Sequence, residues 1–267
     1  MRLALTIEYE GTRYHGFQYQ VNAPSIQAAL EQAIERLTGE RLRINGAGRT
    51  DAGVHAEAQV VAFDTDSTHT ADTFVSALNH HLPQDIAVKA AHIVEPGFDP
   101  RRHAISRTYR YSILNSRTPS PMMRRFACHI HEPLDVPRMH GATRPFIGEH
   151  DFRRFAAPLP HGKSSSVRAI YEASVRQDGD VIYIGVRGSA FLQRQVRRMA
   201  GALVDIGRGR LSPDDLQAMI DNAPTDKIAH SLPAHGLCLV RIEYANYPPA
   251  RTETRFAGQG KSNNWKR

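Results

Sequence analysis

A chain of 267 residues can form one large domain or two of ordinary size. With 41% hydrophobic and 23% charged residues it can bury a real core, which excludes wholesale disorder and collagen-like repeats. The formal charge is +7, and the longest stretch free of charged residues, Tyr14 to Leu30, is too short and too polar to span a bilayer. Glu8 and Glu10 near the start argue against a signal peptide, so a soluble, cytoplasmic protein without a membrane segment is expected.

Leu3, Leu5, Ile7 and Tyr9 alternate with polar or small residues, the period of a strand with one buried face. From Ile26 the apolar positions Ile26, Ala29, Leu30, Ala33, Ile34 and Leu37 make a helical stripe, with Ser25 as its cap and Gly39 as its stop. Leu42 to Ile44 and Gln59 to Phe63 read as short strands around a glycine-bearing turn at Gly46 to Gly53. Phe74, Ala77, Leu78 and Leu82 predict a helix ended by Pro83, and Ile86 to Val94 returns as strand.

Ser106 to Asn115 alternates again, and a new sheet is expected to begin there. Further strands are predicted at Ala169 to Val175, Val181 to Val186 and Leu237 to Tyr244. Helices are predicted at Val136 to Thr143, Ala190 to Ile206, and Pro213 to Asp221 behind Ser212. The expected fold is α+β, with two similar α/β subdomains over 1–105 and 106–245. Each would be a mixed, mostly antiparallel sheet with helices on one face, and the cleft would lie between them. Pro158 to Ser166 reads as a mobile loop, and residues 246–267 read as a basic, disordered tail.

Charge is concentrated rather than spread. Arg101 to Arg125 holds seven arginines and no acid, and Arg187 to Arg210 holds six with Asp205 as its only acid. Such runs suit a polyanionic partner, because a planar guanidinium pairs bidentately with phosphate. A solvated basic face is the other reading of the same charges. The two cysteines, Cys128 and Cys238, are too few for a disulfide framework and read as reduced thiols.

The densest local signal is Gly46-Ala47-Gly48-Arg49-Thr50-Asp51-Ala52-Gly53-Val54-His55. Three glycines in eight residues let a substrate approach the main chain, and Arg49 and Asp51 sit together in that turn. On these residues alone Asp51 could equally cap a structural turn, and the Lys-Ser/Thr ending of a P-loop is absent.

This segment, with Gln59-Val60-Val61, resembles the signature of the tRNA pseudouridine synthase A family. Tyr9-Glu10-Gly11-Thr12, Phe98-Asp99-Pro100-Arg101, Tyr109-Arg110-Tyr111, Gly148-Glu149-His150-Asp151-Phe152, Ala190-Phe191-Leu192, Val196-Arg197 and Gly236-Leu237 are similar to the family in the same order. Phe17 departs from it, standing where the family usually shows tryptophan, as do Arg153-Arg154 and Gln193-Arg194-Gln195.

The resemblance implies isomerisation of uridine in the anticodon stem-loop of tRNA, the base leaving its sugar at N1 and returning through C5. It implies Asp51 as the essential carboxylate, no metal, no redox cofactor, and a homodimer. A paired, stacked uracil must be extruded at a cost of a few kcal/mol. An aromatic ring under the base returns ~1–3 kcal/mol, and Tyr109 corresponds to the family's pocket tyrosine, although alone it reads equally as a core residue of its strand.

A carboxylate that acts on a sugar carbon must be ionised, and an opposite charge within about 4–6 Å favours that form. Arg49 and Arg197 are the expected neighbours and substrate-binding residues. Arg197 lies on the border of its helix's apolar face, where it can reach inward or snorkel outward. Arg101, Arg102, Arg107, Arg110, Arg194 and Arg198 are the expected RNA contacts. Addition at C1′ and proton abstraction at C2′ both use Asp51.

Three other readings compete. Cys128-His129-Ile130-His131 and His80-His81 lack the spacing of a zinc site. A hydrolase could pair Asp51 with Glu57. A non-catalytic RNA-binding protein could use the arginine runs and the tail.

Overall fold

The computed structural model describes residues 1–158 and 165–247. In the first half, β1 (Arg2–Tyr9) is followed by α1 (Ile26–Thr38), β2 (Asn45–Gly46), β3 (His55–Asp64), α2 (Ala71–His81) and β4 (Ile86–Ile93). The predicted caps of α1 are present: the Ser25 hydroxyl accepts from Ala28 N–H at 3.2 Å, and Gly39 closes the helix in a left-handed conformation. Phe63 of β3 meets Phe74 of α2 edge-on at 6.0 Å, which seats α2 on the sheet.

In the second half, β5 (Ala104–Asn115) leads through β6 (Cys128–Ile130), α3 (Val136–Gly141), β7 (Gly148–Asp151), β8 (Val167–Asp178) and β9 (Val181–Gly188). Then come α4 (Gln195–Gly207), α5 (Pro213–Ile220) and β10 (Leu237–Tyr244). Phe146, Phe152 and Phe155, all fully buried, form one aromatic cluster beneath this half.

The α+β class and the mostly antiparallel sheet stand as expected. The start of a new sheet at Ser106 does not. Among the described residues all ten strands form one sheet in the order β4-β1-β3-β10-β5-β9-β8-β7, with β2 on β3 and β6 on β5. The joint is β10, which runs parallel to β3 and antiparallel to β5. Leu239 pairs with Ala56 on one side and Tyr109 on the other, so Tyr109 comes level with the end of the 46–55 loop.

Several boundaries differ from the sequence reading. Leu42 to Ile44 is not strand; the short β2 lies just beyond it. The long helix begins at Gln195 rather than Ala190, because Arg194 adopts a left-handed conformation (φ 64°) and the Gln195 side chain accepts from Leu192 N–H at 2.8 Å. Tyr247, assigned from sequence to the tail, is buried between Phe98 and Tyr244, with its hydroxyl 3.2 Å from that of Thr6. Residues 248–267 of the predicted tail and residues 159–164 of the predicted mobile loop lie outside the described residues.

Candidate active site

The 46–55 loop is held at nearly every residue of its stem. Ala47 N–H donates to Val60 O at 2.8 Å, and the Gln59 side-chain amide donates to Gly48 O at 2.9 Å. Thr50 O accepts from Phe17 N–H at 3.1 Å, while the Thr50 and Tyr9 hydroxyls share a buried hydrogen bond of 2.9 Å. Gly53 turns the chain with φ 78°, a conformation costly for a residue with a Cβ. His55 closes the loop: its Nδ1 accepts from Gly11 N–H at 3.0 Å, and its Nε2 lies 2.7 Å from Arg125 O and 3.1 Å from His235 O.

Asp51 projects from this frame toward α4. Its Oδ2 accepts from Arg197 Nη1 at 3.1 Å, and the two side chains are only 20% and 15% exposed. Arg197 is aimed by its other end, since its Nε donates to Leu232 O at 2.8 Å and its own carbonyl accepts from Leu232 N–H. It therefore reaches inward. Arg49 does not join them: it is exposed and forms no ion pair with Asp51, so only one of the two expected arginines holds the carboxylate.

Tyr109 is buried on the same side, its ring meeting Phe191 edge-on at 5.2 Å. Burial pushes its phenol up to about 12, with the Arg107 cation opposing and the nearby Asp51 charge adding to the rise. The hydroxyl makes no hydrogen bond among the described residues. Phe191 and the Leu232 carbonyl were missed by sequence reasoning. The first lay in a matched block without a role, and a backbone carbonyl has no side-chain signal.

The expected RNA contacts separate into two groups. Arg101, Arg102 and Arg194 are exposed. Arg107 is instead buried and bound to three backbone carbonyls, and Arg198 donates to Arg154 O and Ala156 O. Burial pulls the pKa of both below the usual arginine value; Arg107 has both terminal nitrogens on backbone carbonyls, whereas Arg198 commits only Nη1. Arg110 forms a 2.5 Å ion pair with Glu57.

That pair also corrects the hydrolase reading. Strand alternation puts Arg110 and Ser112 on the face of β5 opposite Tyr109. They line, with Glu57, Tyr183 and Cys238, a cavity of about 690 Å³ that excludes Asp51, Tyr109 and Arg197. Glu57 and Asp51 do not share a site. Among the described residues no group of three or more His, Cys, Asp or Glu side chains is placed to hold a metal ion, and no helix is long and apolar enough to cross a membrane.

Comparison with known proteins agrees with the motif. A family model described as tRNA pseudouridine synthase matches residues 5–101 and 142–245. The chain is 43% identical over 242 residues to tRNA pseudouridine synthase A of Pelobacter propionicus, covering 91% of this chain and 99% of that protein. It is 42% identical over 252 residues to the protein of the same name from Myxococcus xanthus, covering 94% and 95%. The Roseiflexus sp. relative is 43% identical, with 91% and 90% covered. The two matched segments supply Asp51 on one side and Arg197 on the other, and by descent the chain belongs to the tRNA pseudouridine synthase family.

Proposed function

We propose that this protein isomerises uridine to pseudouridine in the anticodon stem-loop of tRNA, with Asp51 as the catalytic carboxylate. The relatives' shared name supports the reaction class. The observation that carries the residue assignment is the single Asp51–Arg197 pair at 3.1 Å, largely screened from solvent and beside a buried tyrosine. An extruded uridine would place its ribose against Asp51 and its base over Tyr109. The N1–C1′ bond breaks with its electron pair going to the base, the base turns while held, C5 bonds to C1′ and gives up its proton, and N1 takes up a proton, so substrate and product are isomers.

In this reading residues 1–105 and 106–245 supply the two walls of the cleft, Arg197 anchors Asp51, and Arg49 meets the substrate from the exposed side of the loop. Arg101, Arg102 and Arg194 contact the RNA backbone. The protein works as a cytoplasmic homodimer, for which gel filtration over a range of protein concentrations is the direct test.

The decisive experiment incubates the purified protein with an unmodified tRNA transcript, with no cofactor added, and maps carbodiimide-resistant adducts. Pseudouridine in the anticodon arm is expected, together with its loss and retained tRNA binding in Asp51→Asn. An anticodon arm without pseudouridine overturns the function; an active Asp51→Asn protein overturns the residue assignment.

A further inference from the structure

Arg107 is a buried cation to which the proposed chemistry gives no part. It lies on β5 two residues before Tyr109 and on the same face, opposite Gly188 of β9 and Ile242 of β10. It is 9% exposed and forms no ion pair with a carboxylate among the described residues. Its charge is met instead by three carbonyl dipoles. Nη2 donates to Ala47 O at 3.0 Å and to Arg101 O at 2.8 Å, and Nη1 donates to Ser189 O at 2.7 Å.

These three carbonyls belong to segments with no common strand partner. Ala47 begins the stem of the Asp51 loop. Ser189 follows β9 and leads to Phe191, which packs on Tyr109, and then to α4, which carries Arg197. Arg101 belongs to the exposed basic turn after β4. A buried charge is costly unless its hydrogen bonds are made, so the guanidinium is stable where it is only while all three segments keep their places. The other ties on the loop stem, from Gln59, Phe17 and Tyr9, come from the N-terminal half. Arg107 ties the start of the loop to the other half, as the Arg125 and His235 carbonyls do at His55 and Arg197 does at Asp51 itself.

We propose that Arg107 is a positioning residue for the isomerisation: by tying Ala47 to Ser189 it sets where Asp51 stands relative to Arg197 and Tyr109. This rests on the function proposed above. A lysine keeps the charge but lacks the planar fork that spans three carbonyls, so the conservative replacement separates geometry from charge.

The test compares Arg107→Lys and Arg107→Gln with the unsubstituted protein by three readouts: single-turnover pseudouridine formation at a temperature where circular dichroism shows each protein folded, tRNA affinity as a function of salt, and hydrogen exchange of the 46–55 amides. Misplacement of a reacting group by about 1 Å can cost ~100-fold, and a loss of at least ~10-fold in turnover is expected for the lysine variant. Affinity should stay within about 3-fold with an unchanged salt slope, since no phosphate contact is removed. Exchange in the 46–55 loop should rise.

A folded Arg107→Lys protein that turns over within about 2-fold of the unsubstituted one overturns the proposal, as does unchanged loop exchange. A salt slope lower by about 1 would make Arg107 a phosphate contact instead. If the unsubstituted protein forms no pseudouridine, the functional reading fails on its own, and the exchange comparison still decides whether Arg107 holds the loop.

Discussion

Arg197 grips Asp51 with one end of its guanidinium and the Leu232 carbonyl with the other, at 3.1 and 2.8 Å. The second bond fixes the direction of the first. A lysine at 197 offers a point charge without this two-ended fork. Arg197→Lys should therefore lower turnover by ~100-fold, the scale of a displaced reacting group, while leaving tRNA affinity nearly unchanged. Single-turnover rates beside filter-binding affinities check this; equal losses in both would mean that Arg197 serves binding.

Tyr109 is expected to act through its ring. Its hydroxyl has no partner among the described residues, and with the phenol pushed up to about 12 it stays protonated through the neutral range. Tyr109→Phe should keep most of the activity and show the same pH profile up to pH 9. Tyr109→Ala should lose ~1–3 kcal/mol of base stacking, read as weaker substrate binding. An alkaline limb present in the parent and absent from the phenylalanine variant would contradict this account.

His55 should make stability depend on pH. Gly11 N–H donates to its Nδ1, so the ring is neutral with its proton on Nε2. Burial lowers its pKa from the usual value of about 6.5. The unfolded chain then binds this proton more readily than the folded one, so stability rises with pH and is lost as pH falls from about 6.5 through the depressed folded value. Melting temperatures from pH 5 to 8 should slope more steeply for the parent than for His55→Gln. Parallel curves would assign the acid sensitivity elsewhere.

Burial also sorts the arginines in a salt titration. Replacing Arg101, Arg102 or Arg194 with alanine should each lower the slope of log affinity against log salt by up to ~1. Arg198→Ala should leave the slope alone and reduce thermal stability, because it frees the carbonyls of Arg154 and Ala156. A shallower slope for Arg198→Ala would place that guanidinium on the RNA.

Gly201 in α4 is the contact that lets the 228–233 segment lie against the helix. A Cβ there would stand 2.0 Å from His230 O, a backbone atom that cannot give way cheaply. Gly201→Ala should destabilise by ~1–3 kcal/mol and, by moving Leu232, reduce turnover as well. A melting temperature equal to that of the parent would show that the segment moves freely.

The strands and helices with strong periodicity were legible in the sequence: α1 between Ser25 and Gly39, and β10 from Leu237 to Tyr244. The short β6 and β7 were not, since three or four residues carry no period. The apolar Ala190-Phe191-Leu192 extended the apparent stripe of α4, and nothing in the sequence signals a left-handed arginine at 194. The approach of Arg197 to Asp51 followed from the helix border together with the family motif. Strand alternation already placed Arg107 on the face of Tyr109, but its partners could not be read, because they are carbonyls, which every residue has.

The sheet order has a consequence for how the protein comes to be made. Asp51 lies before β3, yet the strand that brings Tyr109 level with its loop is β10, which follows every other described strand and helix. A nascent chain cut anywhere before Leu237 lacks the bridge between β3 and β5. On the ribosome the proposed cleft is therefore closed late and all at once, when β10 pairs with both strands.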